Sequence, residues 1–188
     1  MHSSRPGRVA LLKARMRGRG SLIDIRPAGP GIALRLTNPP HTAVDPDFEN
    51  RVRTSFERQA FMATLGATLE RVEPGAVDIH LPIHPGLTQQ HGFVHAGAVA
   101  SIADSACGYA AFSLMAAGAG VLAVEFKINL MAPAAGELLI ARARVIRAGR
   151  TLTVCQADVV AVIDGAERTV AILTSTNMTM RDRPGVSG

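Results

Sequence analysis

Between Ala96 and Ala117 the chain carries one charged side chain, Asp104, and no proline falls until Pro133. This run of alanine, small residues and aliphatics reads as a helix, entered through a polar, glycine-containing loop at Gln89–Gly92 and starting near His95 to Gly97. A surface helix would show a charged stripe at the 3.6-residue period. This one shows none, so it needs cover on nearly every side.

A carboxylate in such a helix is costly unless it is paired or has a task, and desolvation raises its pKa and makes it a more reactive base. Two plainer readings stand beside that one. Asp104 could be the one solvent-facing residue of a partly exposed helix, or the run, at about 20 residues, could span a membrane. Against the span, the segment is rich in Ala, Gly and Ser, and a central Asp opposes insertion by roughly 2.5 to 3.5 kcal/mol.

The rest of the chain reads as strands around this helix. Asp47 to about Phe61 is helical, with Phe48, Val52 and Phe56 at four-residue spacing behind Pro46. Met62 to Arg71 and Ala76 to Ile83 read as strands, the second alternating Val77, Ile79 and Leu81 with Asp78 and His80. Beyond Gly118-Ala119-Gly120, four more strands are expected at Val121–Met131, Glu137–Arg147, Thr151–Ile163 and Arg168–Met180, with a hairpin turn at Asp164-Gly165. Two strands, one long apolar helix and four strands make an α+β chain whose mostly antiparallel sheet must cover the helix.

Charge is unevenly placed. Residues 1–44 hold eight Arg or Lys against one acid, Asp24, so this stretch carries +7 and the remainder −2. With its Arg, Gly and Pro and no sustained period, 1–44 is expected to be a disordered basic extension, 45–181 the globular domain and 182–188 a loose end. A solvated tail, an upstream start codon, a transit-like leader and a non-specific nucleic-acid arm are the open readings of the extension. Aromatics at 4% and the absence of tryptophan make nucleic-acid stacking an unfavoured function. No signal-peptide core is present, and Cys107 and Cys155 are expected to be buried, reduced thiols of a cytoplasmic protein. His80, His84, His91 and His95 are too irregularly spaced for a metal site, so none is expected.

Gln89, Gly92 and His95-Ala96-Gly97, followed by Asp104 nine residues after His95, resemble the helix entrance of the hotdog-fold acyl-CoA thioesterases of the PaaI-like, phenylacetyl-CoA thioesterase type. Val124 to Pro133 and Arg147 to Thr151 resemble the family's next strand and turn, and the likeness covers about Phe48 to Met180. Ala96 departs from the family's usual glycine. The resemblance implies a hotdog fold, a curved sheet wrapped around one central helix, and a homodimer or homotetramer with active sites between subunits. It implies hydrolysis of an acyl-CoA substrate, coenzyme A being part of the substrate and no further cofactor needed. Asp104 would be general base or nucleophile, the N–H of Ala96 or Gly97 the oxyanion donor, and Gln89 the amide holding thioester or water; His95 would shape the loop. Gly92 would help bind substrate, and Arg147 and Arg150 would meet coenzyme A phosphates. Ala123 stands where some members carry a Ser or Thr near the water. A non-catalytic acyl-CoA-binding module is the alternative reading; a hydratase is disfavoured because no His follows Asp104 closely.

Overall fold

The computed structural model describes the backbone of Leu22–Ala28 and Gly31–Thr37, and residues 41–181 and Gly185 in full. Residues 1–39 and 40–188 form separate compact units. In the first, β1 (Leu22–Ala28) and β2 (Gly31–Thr37) pair antiparallel, Leu22 opposite Thr37 and Ala28 opposite Gly31. No strand was expected there. The signal lies in the alternation Ile23, Ile25 and Ile32, Leu34, Leu36 about Gly29-Pro30. Of the extension expected to be disordered over residues 1–44, residues 41–44 are described, with His41 Nε2 3.2 Å from Val145 O; the remainder outside β1 and β2, and the loose end at 182–184 and 186–188, fall outside the described residues.

In the second unit, α1 (Phe48–Glu57) and α2 (Ala60–Leu65) precede β3 (Thr68–Glu73) and β4 (Ala76–Pro82). The strand expected from Met62 therefore begins six residues late. Gly66, in the left-handed region at φ 75°, ends α2 with Ala67 N–H donating to Met62 O, and this turn buries Met62 and Leu65 that a strand would have split between two faces. The central helix α3 (Ala96–Phe112) stops short of the expected Ala117, and β5 (Gly120–Leu130), β6 (Leu138–Ala148), β7 (Leu152–Ile163) and β8 (Ala166–Met180) follow within one or two residues of expectation.

The six strands form one sheet in the order β3-β4-β6-β7-β8-β5, every neighbour antiparallel. This is the hotdog fold: the sheet curves around α3, which packs against β4, β6, β7, β8 and β5. Inward residues such as Val77, Ile79, Leu81, Leu139, Ala157 and Leu173 meet Ile102, Ala106, Ala110 and Phe112 of the helix, all at 5% exposure or less. Small side chains on α3 let the sheet approach closely. The helix end is held by Arg51, which donates to Met115 O at 2.7 Å, pairs with Asp45 at 2.9 Å and lies 4.2 Å over the Phe112 ring. Those bonds satisfy carbonyls that a helix terminus leaves open. Cys107 and Cys155 are free and buried, and burial pushes the Cys155 thiol up to about 12. Among the described residues, no helix is long and apolar enough to cross a membrane.

Candidate active site

The loop into α3 is a tight turn pinned at both ends. Gln89 N–H donates to Phe93 O at 2.8 Å and Gly92 N–H to Gln89 O at 2.9 Å; Gly92 turns the chain at φ 83°. Val94 N–H reaches Ala134 O and His95 N–H reaches Leu87 O, fixing where the helix begins.

His95 is the N-cap of α3. Its Nδ1 accepts from Gly97 N–H at 2.9 Å, so the neutral ring carries its proton on Nε2. The cap consumes the Gly97 N–H, one of the two donors expected from sequence. A side chain at 97 would crowd the cap, since a β-carbon there would stand 3.0 Å from His95 Nδ1. Ala96, the first helical residue, has no intrahelical partner for its N–H, and no other partner for it is found among the described residues. The Gln89 side chain is oriented in the same way. Its Oε1 accepts from His91 N–H, and because a backbone N–H can only donate, the oxygen must face it and the NH₂ is left free.

Gln89, His95 and Ala96 line an opening of about 550 Å³, walled by Val99 and Val170 and by Leu130 and Met131 at the end of β5. Among the described residues, no Asp, Glu, Lys or Arg lines it. Among its polar lining residues, Gln89, His95 and Ala96 can each offer a donor, which suits an oxygen atom that gains negative charge. Met131 and Val170 were missed in the sequence, because they reach the opening only through the pairing of β5 with β8.

Asp104 does not line this opening. It is half-buried on α3, eight residues beyond Ala96 or about 12 Å along the axis. Its Oδ1 is buried without a partner among the described residues, and burial raises its pKa above the ordinary aspartate range. Arg147 and Arg150 are exposed and flank the β6–β7 turn, where Arg150 O accepts from Arg181. Thr179 N–H bonds Thr151 O there, and Met180 pairs with Gly120, so the turn lies toward the start of β5 while the opening lies at its far end. One chain thus gathers Gln89, His95 and Ala96 but leaves Asp104, Arg147 and Arg150 apart. Gly92 shapes the loop and does not line the opening. No group of His, Cys, Asp or Glu among the described residues is placed to hold a metal ion.

β5 is an edge strand, and Leu122, Val124, Phe126, Leu130 and Met131 on or just after it are 44 to 54% exposed. A long apolar edge offers unpaired N–H and C=O groups to another strand.

Residues 91–166 match the model of the thioesterase superfamily. A candidate esterase of Halobacterium salinarum is 30% identical over 121 residues, spanning 62% of this chain and 80% of that protein. The crystal structure of a thioesterase family protein from Silicibacter pomeroyi is 52% identical and superposes with a TM-score of 0.71 over 71% of this chain and 98% of its own. The PaaI protein of Escherichia coli, from its phenylacetic acid degradation operon, shares the fold at 23% identity and a TM-score of 0.64, over 75% of this chain and 96% of that one.

Proposed function

Because the chain belongs to the thioesterase superfamily, we propose that it hydrolyses an acyl-CoA thioester to free coenzyme A and a carboxylic acid, in the manner of the PaaI-like type. The observation that carries this reading is the donor rim at the start of α3, where the Ala96 N–H, the Gln89 NH₂ and the His95 Nε2–H border an uncharged opening. The thioester oxygen sits among these donors and Val99, Met131 and Val170 face the acyl group.

Asp104 is the general base. It takes a proton from water as the water oxygen bonds to the thioester carbon and the carbonyl electron pair moves onto oxygen. Collapse of that intermediate breaks the C–S bond, and the proton passes to the departing thiolate. A distance of about 12 Å within one helix keeps Asp104 from the carbonyl held beside its own Ala96, so the base comes from a second subunit. The exposed apolar edge of β5 supports a homodimer formed by pairing of the two β5 strands, which run in opposite directions and bring the Gly120 end of one to the Leu130 end of the other. That arrangement carries Arg147 and Arg150 of one subunit toward the opening of the other, where they meet the coenzyme A phosphates. An enzyme of acyl-CoA esters is placed in the cytoplasm on this reading.

The test is release of free thiol from short, medium, long-chain and aromatic acyl-CoAs, with Asp104→Ala alongside. Hydrolysis that falls at least about a hundredfold in Asp104→Ala is expected. Binding of acyl-CoA without hydrolysis by the wild-type chain would overturn the proposal in favour of a binding module. Single turnover in ¹⁸O-water bears on the base: an unlabelled acid in the first turnover would show an anhydride on Asp104 opened by water at the aspartyl carbonyl, whereas direct attack by water puts the label in the acid.

A further inference from the structure

β8 breaks its alternation at the opening. Leu173 and Ala171, both at 0% exposure, lie on the inner side of the strand, with the half-buried Ile172 on the outer side between them. Strict alternation would send Val170 outward with Ile172. It is turned inward instead. Val159 of β7 pairs with Ala171 and Val160 with Thr169, so Val170 is an extra residue with no partner position in β7, a β-bulge. The bulge brings Val170 to 1% exposure in the opening that Val99 also lines, and its carbonyl takes the N–H groups of Met131 at 2.8 Å and Ala132 at 3.3 Å. One irregularity thus supplies a wall of the opening and anchors the neighbouring wall at the end of β5.

The lining residues differ in exposure, and exposure orders them by depth. Phe93, Leu130 and Met131 are 39, 54 and 52% exposed and stand at the mouth, with His95 and Ala96 exposed beside them. Val99 and Val170, at 2 and 1%, are at the bottom. The opening ends there. Ile102 and Ala103, one turn beyond Val99 on α3, and Ala171, next to Val170 on β8, are all at 0% exposure and line none of it. Helix side chains lean toward the N-terminus, so Val99 covers the turn that begins at Ala96, about 4.5 Å away along the axis.

We propose that Val170 and Val99 form a stop that fits the site to compact acyl groups and rejects long chains. The inference rests on the acyl-CoA thioesterase reading, with the thioester oxygen held by the donors of Gln89, His95 and Ala96. From the carbonyl carbon the acyl tail runs down to the two valines. Both are β-branched and have few rotamers with which to move aside, and the close-packed core behind them leaves no room for the tail to continue.

The experiment titrates the full chain by calorimetry with oxoalkyl-CoA thioethers whose tails grow from methyl to pentadecyl. These keep a carbonyl but set a methylene between it and the sulfur, so they bind without being hydrolysed. Affinity is expected to rise about fourfold per added methylene while the tail fills the opening, then to fall once the tail meets the valines. Val170→Ala and Val99→Ala, each checked by thermal unfolding, should move that break to longer tails, and Val170→Ile to shorter ones; the isoleucine variant carries the test if neither alanine variant folds. A general loss of packing would weaken every member alike and leave the break in place. Affinity that climbs through the longest tails overturns the proposal, as does an unchanged break in the folded variants. Failure of the thioesterase reading is separate: it would show as no thiol release from the matching acyl-CoAs, with the break in affinity retained.

Discussion

Asp104 pays for its position with a desolvated carboxylate, and this has consequences in two measurements. Burial raises its pKa in the folded protein, so between the ordinary aspartate range and that raised value the native state holds a proton that the unfolded state has released. Stability therefore falls as pH rises through this window, and its full contribution is present only below the unfolded value. Asp104→Asn is expected to raise the unfolding temperature at neutral pH and to leave it nearly unchanged in acid, where both side chains are neutral. On the proposed mechanism the same shift sets the acid limb of kcat/KM, which is expected at a pH above that of an exposed aspartate because the base must be ionised to work. His95 makes a different kind of prediction. Asn at 95 can keep the N-cap through its side-chain oxygen yet has no Nε2–H, so His95→Asn should fold with near-wild-type stability while kcat falls, as a scan of unfolding and turnover would register.

Two connections between elements hold the cover on α3. Arg51 and Asp45 are at 9 and 8% side-chain exposure, and the guanidinium also binds the carbonyl of Met115 beyond the helix end. Removing one partner strands a buried charge, so Arg51→Ala is expected to cost about 3 to 5 kcal/mol in denaturant unfolding. The second connection is the loop before β6. Gly136 sits at φ 114°, and a β-carbon there would fall 2.0 Å from Val162 O, against the backbone of β7. Gly136→Ala is expected to lose at least about 1 to 3 kcal/mol through backbone strain, with displacement of the β6–β7 hairpin visible in amide exchange.

For the whole molecule, the proposed site is completed only by a second copy, and isologous symmetry turns that into arithmetic. If Asp104 and Gln89 of one site come from different subunits, an equal mixture of Asp104→Ala and Gln89→Ala chains, unfolded and refolded together, forms heterodimers with one intact site in two. Activity of about a quarter of the wild type is then expected from two variants each nearly inactive. No recovery would show that both residues act from one chain. Charging the edge with Phe126→Lys should give a monomer by sedimentation and abolish turnover together.

From Thr68 onward the order of elements was legible because it rests on local periods, whereas β1, β2 and α2 were missed. The alternation of Val77, Ile79 and Leu81, the turn at Asp164-Gly165 and the apolar run after His95, charged only at Asp104, each specify their own structure over a few residues. The resemblance of one helix entrance to that of the hotdog-fold thioesterases also marked Gln89, His95, Ala96 and Asp104 as candidates. What local pattern could not carry was the division of labour among them. That His95 takes up the Gly97 N–H, that His91 turns Gln89 into a donor, and that Met131 and Val170 wall the opening follow from hydrogen bonds and strand pairings set by the packed sheet. The same holds for Met62 to Leu65, whose apolar residues suit a strand as well as a helix until Gly66 and the core choose between them. Burial also left Asp104 Oδ1 and Asn177 Oδ1 without hydrogen-bond partners among the described residues. Such groups depend on neighbours distant in sequence, and only the tertiary structure decides which residues those are.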